Sequence, residues 1–259
     1  MLFRSQKGFF MINSNTFSNF NSKYPIYADL HTHSISSGHG SEDTITDMIR
    51  CASESGLSLF GISDHGPATS SSAKPSYFQS LKLADRDRFG IRVLYGAELN
   101  IINTAGDVDL DDEILSALDY AIISIHPPIF KPYHDKDLSS AYIRAMDHPK
   151  VRFLGHIDDA RFPVDFEYLL EIAKEKHVYP EINNGSLMPD AYRINGQENC
   201  RRILSICKKL DLPVLLSSDS HGKKNIGNMQ YIFPLLEELD FPAHLVLNSD
   251  LSVLSEIIR

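Results

Sequence analysis

At 259 residues and 42% hydrophobic content the chain can bury one large core, and α/β domains of this length commonly form a single unit. Its 34 acidic against 25 basic side chains leave a formal charge of −9, which argues against the clustered basic surface that long nucleic acids require. No apolar run approaches the ~18 residues of a membrane span, Phe9-Phe10-Met11-Ile12 is too short for a secretory core, and three scattered cysteines make no disulfide framework, so the expected compartment is the cytoplasm.

Residues 1–24 are rich in Asn, Ser and Phe without clear period and read as an N-terminal extension without visible chemistry, followed by one domain over residues 25–259. Strands are predicted at Ile26 to Leu30, Leu59 to Ser63, Arg92 to Ala97, Tyr120 to Ile125, Arg152 to Gly155, Val178 to Ile182 and Val214 to Ser217. Between them fall amphipathic helices: Thr44 to Ser55 closed by Gly56, Asp165 to Lys176 opened by the capping Asp165, and Gln197 to Leu210. Cys200 and Cys207 share a buried face of the last of these, as reduced core thiols with Cys51. A weaker apolar run, Leu245 to Leu247, precedes a final helix from Asp250, and the Ser-rich loop Pro67 to Pro75 reads as exposed loop or as a mobile rim to a site. Repeated βα units imply parallel strands, hence an α/β fold of the barrel type with seven strands, one fewer than the usual closure of about eight.

The chemistry sits at the strand ends. His31 and His33 follow the first strand, His65 the second, Glu98 ends the third, His126 follows the fourth, His156 the fifth, and Asp219 and His221 the seventh, with His39 deeper in a loop. Parallel strands closing a barrel bring their C-terminal ends to one face, so these distant residues are expected to meet. Imidazoles and carboxylates suit borderline divalent ions such as Zn²⁺, Mn²⁺ or Fe²⁺, and a closed structural zinc site needs only about four ligands, so this many imply several metals and catalysis. Asp29 and Asp64 could orient imidazoles from behind. Arg161 could reach a phosphate with its planar fork or pair with Asp158 or Asp159. Asn183 and Asn184 leave the sixth strand on the active face, where they could orient ligands or substrate or stabilise a turn. His134, His148, His177 and His244 lack strand-end placement and read as surface or structural groups.

Taken together, Asp29-Leu30-His31-Thr32-His33, His39, Ser63-Asp64-His65-Gly66-Pro67, Gly96-Ala97-Glu98, Ser124-Ile125-His126, Gly155-His156, Glu181-Ile182-Asn183-Asn184 and Ser217-Ser218-Asp219-Ser220-His221 make residues 26 to about 230 resemble the PHP superfamily, in particular its stand-alone phosphatases with a three-metal site. The resemblance implies a distorted (β/α)7 TIM-like barrel. It implies that His31, His33, Glu98 and Asp219 hold one ion, that Glu98 bridges to a second completed by His126 and His156, and that His39, His65 and His221 hold a third. Glu98, Asp219 and His221 would be catalytic, Arg161, Asn183 and Asn184 substrate-binding, and the ions Zn, Mn or Fe. The implied reaction is hydrolysis of small phosphorylated metabolites by metal-activated hydroxide. Histidinol-phosphate phosphatase, nucleotide phosphodiesterase or nuclease, phosphotyrosine phosphatase, amidohydrolase and a metal-holding regulatory module are the competing readings.

Overall fold

Short parallel strands alternate with amphipathic helices through most of the chain, as the βα periodicity requires. The computed structural model describes residues 21–127, 129–130 and 136–259; the expectations for residues 1–20 and for His134 lie outside them. The strands are β1 (Ala28–Asp29), β2 (Thr32–His33), β3 (Leu59–Ile62), β4 (Asp87–Arg88), β5 (Ile91–Tyr95), β6 (Ala97–Asn100), β7 (Ala121–Ser124), β8 (Val151–Leu154), β9 (Tyr179–Asn183), β10 (Leu215–Ser217) and β11 (Ser220–His221). The helices are α1 (Ile45–Glu54), α2 (Pro75–Ser80), α3 (Asp112–Leu115), α4 (Ser139–Ala145), α5 (Phe166–Glu175), α6 (Gly196–Leu210), α7 (Phe233–Glu238) and α8 (Leu251–Ile258).

Helix starts follow local chemistry. Thr44 and Asp47 close a reciprocal capping box on α1, Asp165 accepts from Tyr168 N at the start of α5, and Asp250 accepts from Ser252 N and Val253 N at the start of α8. Cys200 and Cys207 are buried on α6 as free thiols, and Cys51 is partly buried and also free. Among the described residues no helix is long and apolar enough to cross a membrane. Tyr24, counted at sequence level with the extension, is buried, and its hydroxyl donates to Phe241 O at 2.8 Å; the body therefore begins before residue 25.

The expected single run of seven strands is instead two parallel sheets and a small pair. β1, β3 and β5 lie side by side in parallel with β4 antiparallel on the edge, while β6 to β10 form a five-stranded, all-parallel sheet in chain order. The break falls at Gly96. A Cβ there would lie 2.7 Å from Tyr120 O and 2.8 Å from the Tyr120 ring, so only glycine lets the chain pass and turn. Glu98 is thus not the end of the third predicted strand but the second residue of a new one, paired with Ile122 and joined by a parallel bridge to His65.

Where β1 faces β10, the side chain of Asn248 stands in for a strand. Its Nδ2 donates to Ala28 O and Leu216 O and its Oδ1 accepts from Leu216 N, each at 2.8 Å. The weak run Leu245 to Leu247 contributes only a parallel bridge, Val246 to Val214. Ala28, Leu59, Leu94, Ile122, Phe153 and Leu215, drawn from both sheets, pack into one interior cluster that Leu254 and Ile258 of α8 join. The larger cluster lies between the strands and the helices.

Candidate metal centre

Glu98 is the hub, because β6 delivers its carboxylate, fully buried, between the ends of the two sheets. Oε1 lies 2.8 Å from His156 Nε2, 3.3 Å from His126 Nε2 and 3.4 Å from His31 Nε2. Oε2 lies 2.6 Å from His65 Nδ1 and 3.6 Å from His33 Nε2. Asp219 Oδ1 closes the far side, 3.1 Å from His33 Nε2 and 3.6 Å from His31 Nε2. The pairing of β2 with β11 sets His33 opposite His221, and the His33 ring stacks on His65 and His221 with centroids 4.2 and 4.3 Å apart. His39 is exposed at the rim, its ring 4.8 Å from that of His65 and 5.0 Å from that of His221. All nine sequence-selected ligand candidates therefore converge.

A second layer turns the imidazoles. His31 Nδ1 is 2.5 Å from Glu181 Oε1, His33 Nδ1 is 3.0 Å from Ser37 Oγ and His126 Nδ1 is 2.7 Å from Asn100 Oδ1, so each ring is gripped at Nδ1 and offers Nε2. Asp109 accepts from Asn100 Nδ2 at 2.6 Å, which fixes the amide with its oxygen toward His126. Glu181 Oε2 also accepts from His156 N at 2.7 Å, holding His156 at φ +30°, while Asp219 sits at φ +52°. Such left-handed backbone persists where surrounding contacts over-determine it.

Among the described residues, three overlapping groups could each hold an ion, with ligand atoms within 4.8 Å of one another: His31, His33 and Glu98; His65, Glu98 and His126; His33, His65 and His221. The nitrogens His31 Nε2, His33 Nε2, His65 Nε2 and His221 Nε2 and the oxygen Glu98 Oε2 are buried without a hydrogen-bond partner. Unsatisfied buried polar atoms are costly, and here they point at one another in an imidazole-carboxylate set that fits divalent cations. The third group draws in His33 where the resemblance implied His39, because stacking wedges His33 between the other two rings.

The charges are interlocked. Burial opposes ionisation of Glu98, yet His126, His31 and His65 hold it well below the usual carboxylate range. Burial likewise opposes a charge on Asp219, which His31, Arg193 and His33 hold low. Burial would lower His31, but Glu181, Glu98 and Asp219 raise it well above the ordinary imidazole value. His33 is driven well below that value by burial and by its neighbours His65 and His221, leaving it neutral and ready to bind a cation.

Of the two readings open for Asp29 and Asp64, direct contact with an imidazole is not the one found. Asp29 gathers Ser218 and Gly227 N–H groups, and burial pushes its carboxyl up to about 6; Asp64 accepts from Ser34, Tyr77 and Ser37, reaching His33 only through Ser37. The Arg161 fork is engaged by Asp159, while Asp158 turns inward, its carboxyl pushed up to about 6 by burial. Asn184 Oδ1 accepts from Tyr231 N, which ties down a loop and leaves the expected substrate contact without support. Asn183 holds a ligand candidate, donating to Asp219 Oδ2 at 3.0 Å. His148 pairs with Asp112, and His244 is exposed near Asp211. Sequence reading missed the roles of Glu181, Asn100 and Arg193. The first two carried a signal, since Glu181 alternates with Asn183 and Asn100 with Glu98 on the same strand faces; Arg193, whose Nη2 donates to Asp219 Oδ2 at 2.7 Å, comes from a loop without one.

Over this hub opens a cavity of about 530 Å³, walled by Thr69, Ser70 and Ser71 on one side and by Pro127, Ile129, Tyr192 and Arg193 elsewhere. The Ser-rich loop therefore does shape the site, and it is tied down through Ala73 N to Ser36 O and Asn100 Nδ2 to Thr69 Oγ1.

An α/β fold whose strand ends converge on imidazoles and carboxylates with unsatisfied donor atoms defines a class: proteins built to hold divalent cations at a cavity floor. The sequence profile of the PHP domain matches residues 29–185, and the chain belongs to that family. It is 36% identical over 231 residues to a probable phosphatase of Clostridium acetobutylicum, covering 89% of this chain and 93% of the relative. It is 35% identical over 231 residues to one of Caldicellulosiruptor saccharolyticus, covering 89% and 95%. In three dimensions it resembles the histidinol phosphate phosphatase of Lactococcus lactis solved with zinc, L-histidinol and phosphate (TM-score 0.58, 20% identity, 83% of this chain and 94% of that one). It also resembles a chain of archaeal ribonuclease P with mature tRNA (TM-score 0.59, 18% identity, 89% of each). At those identities the structures share the fold alone.

Proposed function

We propose that this protein is a metal-dependent phosphatase that hydrolyses small phosphomonoesters with three divalent ions, Zn, Mn or Fe. The observation that carries the reading is the Glu98 carboxylate with imidazole nitrogens closing on both its oxygens beneath an open cavity. The relatives named probable phosphatases support the reaction class. Held by these residues, such ions would supply a lowered pKa for bound water and neutralise the charge that develops in an in-line displacement.

The chain's own residues arrange that chemistry. Glu98 has two oxygens and can serve two cations, whereas each imidazole serves one. Arg193 and Asn183 hold Asp219 by its Oδ2, leaving Oδ1 toward His31 and His33. His221 and the exposed His39 line the mouth, where they would help hold a third ion. The interior shared by both sheets and the Asn248 seam support reading the architecture as a distorted seven-stranded barrel. The formal charge of −9 favours a small metabolite over a polynucleotide, and the free thiols suit the cytoplasm.

The test is metal analysis of the purified protein with assays on p-nitrophenyl phosphate and bis(p-nitrophenyl) phosphate. Near three equivalents of metal and faster monoester cleavage are expected. A metal-loaded protein that cleaves no monoester, or that prefers the diester, overturns the reading.

A further inference from the structure

The metal cluster accounts for the floor of the cavity but not for its upper wall. Tyr192 is 73% exposed and lines the cavity, so most of a large aromatic ring lies open beside the imidazole-carboxylate floor. It is not loose. The Arg161 guanidinium lies 4.1 Å from its centroid, and Arg161 is itself held by Asp159 through Nε at 2.9 Å. The following turn is pinned as well, by Ala160 N to Ile194 O at 2.9 Å. One side of the ring thus rests on a cation fixed from behind, and much of the rest is free. Pro127 and Ile129 add aliphatic surface to the same cavity.

Charge and size narrow the occupant. Arg193 is the single Lys or Arg among the described lining residues, and its Nη2 is already committed to Asp219. The described wall therefore offers little to a second phosphate or a polyanionic tail. A volume of about 530 Å³ falls within the roughly 300–1,000 Å³ of small-molecule sites, so it admits an organic group beside the phosphate.

We infer that Tyr192, seated on the Arg161–Asp159 pair, selects the organic part of the substrate, and that the site takes phosphomonoesters carrying a flat, apolar, ring-bearing group. This rests on the phosphatase reading of the same site and names its substrate class. A stacked aromatic pair together with the apolar area it covers gives a preference of about tenfold over an open-chain group.

The test compares two non-hydrolysable probes, 2-phenylethylphosphonate and propylphosphonate, by calorimetry on the metal-loaded protein, together with the kcat and KM of the corresponding phosphate esters. Both esters leave as primary alkoxides, so differences report recognition and not leaving-group reactivity. The wild type should bind the phenylethyl probe about tenfold more tightly; the preference should fall below about twofold in Tyr192→Ala, persist in Tyr192→Phe, and shrink in Arg161→Met. Equal binding of both probes, binding of neither, or a Tyr192→Ala variant that keeps the preference overturns the inference. A selective phosphonate response without ester cleavage would remove the phosphatase reading and leave the recognition role standing, whereas cleavage without ring preference would do the reverse.

Discussion

Glu181→Gln is the most searching perturbation of the metal centre, because it removes one charge and almost no volume from a side chain that touches no proposed ion. The carboxylate is fully buried and accepts on both oxygens: Oε1 from His31 Nδ1 and Ser217 Oγ, Oε2 from His156 N and Asn183 Nδ2. An amide can keep only one of these faces. If its NH2 takes the Oε2 place it opposes two donors, the His156 N–H and the Asn183 amide. If it takes the Oε1 place, His31 must accept at Nδ1 and carry its proton on Nε2, the atom that faces Glu98 and Asp219. Either way a hydrogen bond to a charged group, about 1.5–3 kcal/mol, is lost, and the ring is mis-set or in the wrong tautomer. Loss of such an outer partner lowers metal affinity by about 10–100-fold, or about 1.4–2.8 kcal/mol. Competition for Zn²⁺ with a chromophoric chelator should show that weakening, with Glu181→Ala also less stable in denaturant by about 3–5 kcal/mol. If Glu181→Gln bound metal within about twofold of wild type, the argument that Glu181 sets the His31 tautomer would be refuted.

Other perturbations separate the parts of the site. Glu98→Ala removes the carboxylate shared by His31, His65, His126 and His156 and should deplete two ions together, while His39→Ala should mainly loosen the third; equal loss in both variants, measured by elemental analysis, would contradict the assignment. Without metal, His31 keeps its proton to unusually high pH, because Glu181, Glu98 and Asp219 outweigh burial. An entering cation must displace that proton, so below the raised His31 value affinity should rise about tenfold per pH unit, and calorimetry in buffers of different ionisation enthalpy should detect proton release. By the same sign, the stability that this imidazolium lends the apo-protein is fully present below the unfolded His value and is lost as pH rises through the folded one. Gly96→Ala forces a Cβ to within 2.7 Å of Tyr120 O and should lower the melting temperature and the metal content together; a normally loaded, equally stable variant would show that the bend before Glu98 has another cause.

Much of the site was legible because βα periodicity is local. Once strands and helices alternate, each residue just past a strand is assigned to one face, and His31, His65, His126, His156 and Asp219 needed nothing more. The parts that were not legible depend on contacts across the fold. Glu181 shares a strand face with Asn183, but that it grips a ring 150 residues away is visible only in the folded chain. The Asn248 amide looks like any loop asparagine until β1 and β10 are seen to leave a gap its side chain can bridge.

The sequence by itself determined the α/β class, the parallel strands and the roster of imidazoles and carboxylates, since hydrophobic period and residue type are properties of short stretches. Tertiary structure alone decided that Gly96 splits the strands into two sheets around Glu98, which nitrogen each ring presents, and that the Arg161 fork meets Asp159 and the Tyr192 ring. Those outcomes turn on distances of a few ångströms between segments far apart in the chain, and no local pattern encodes them.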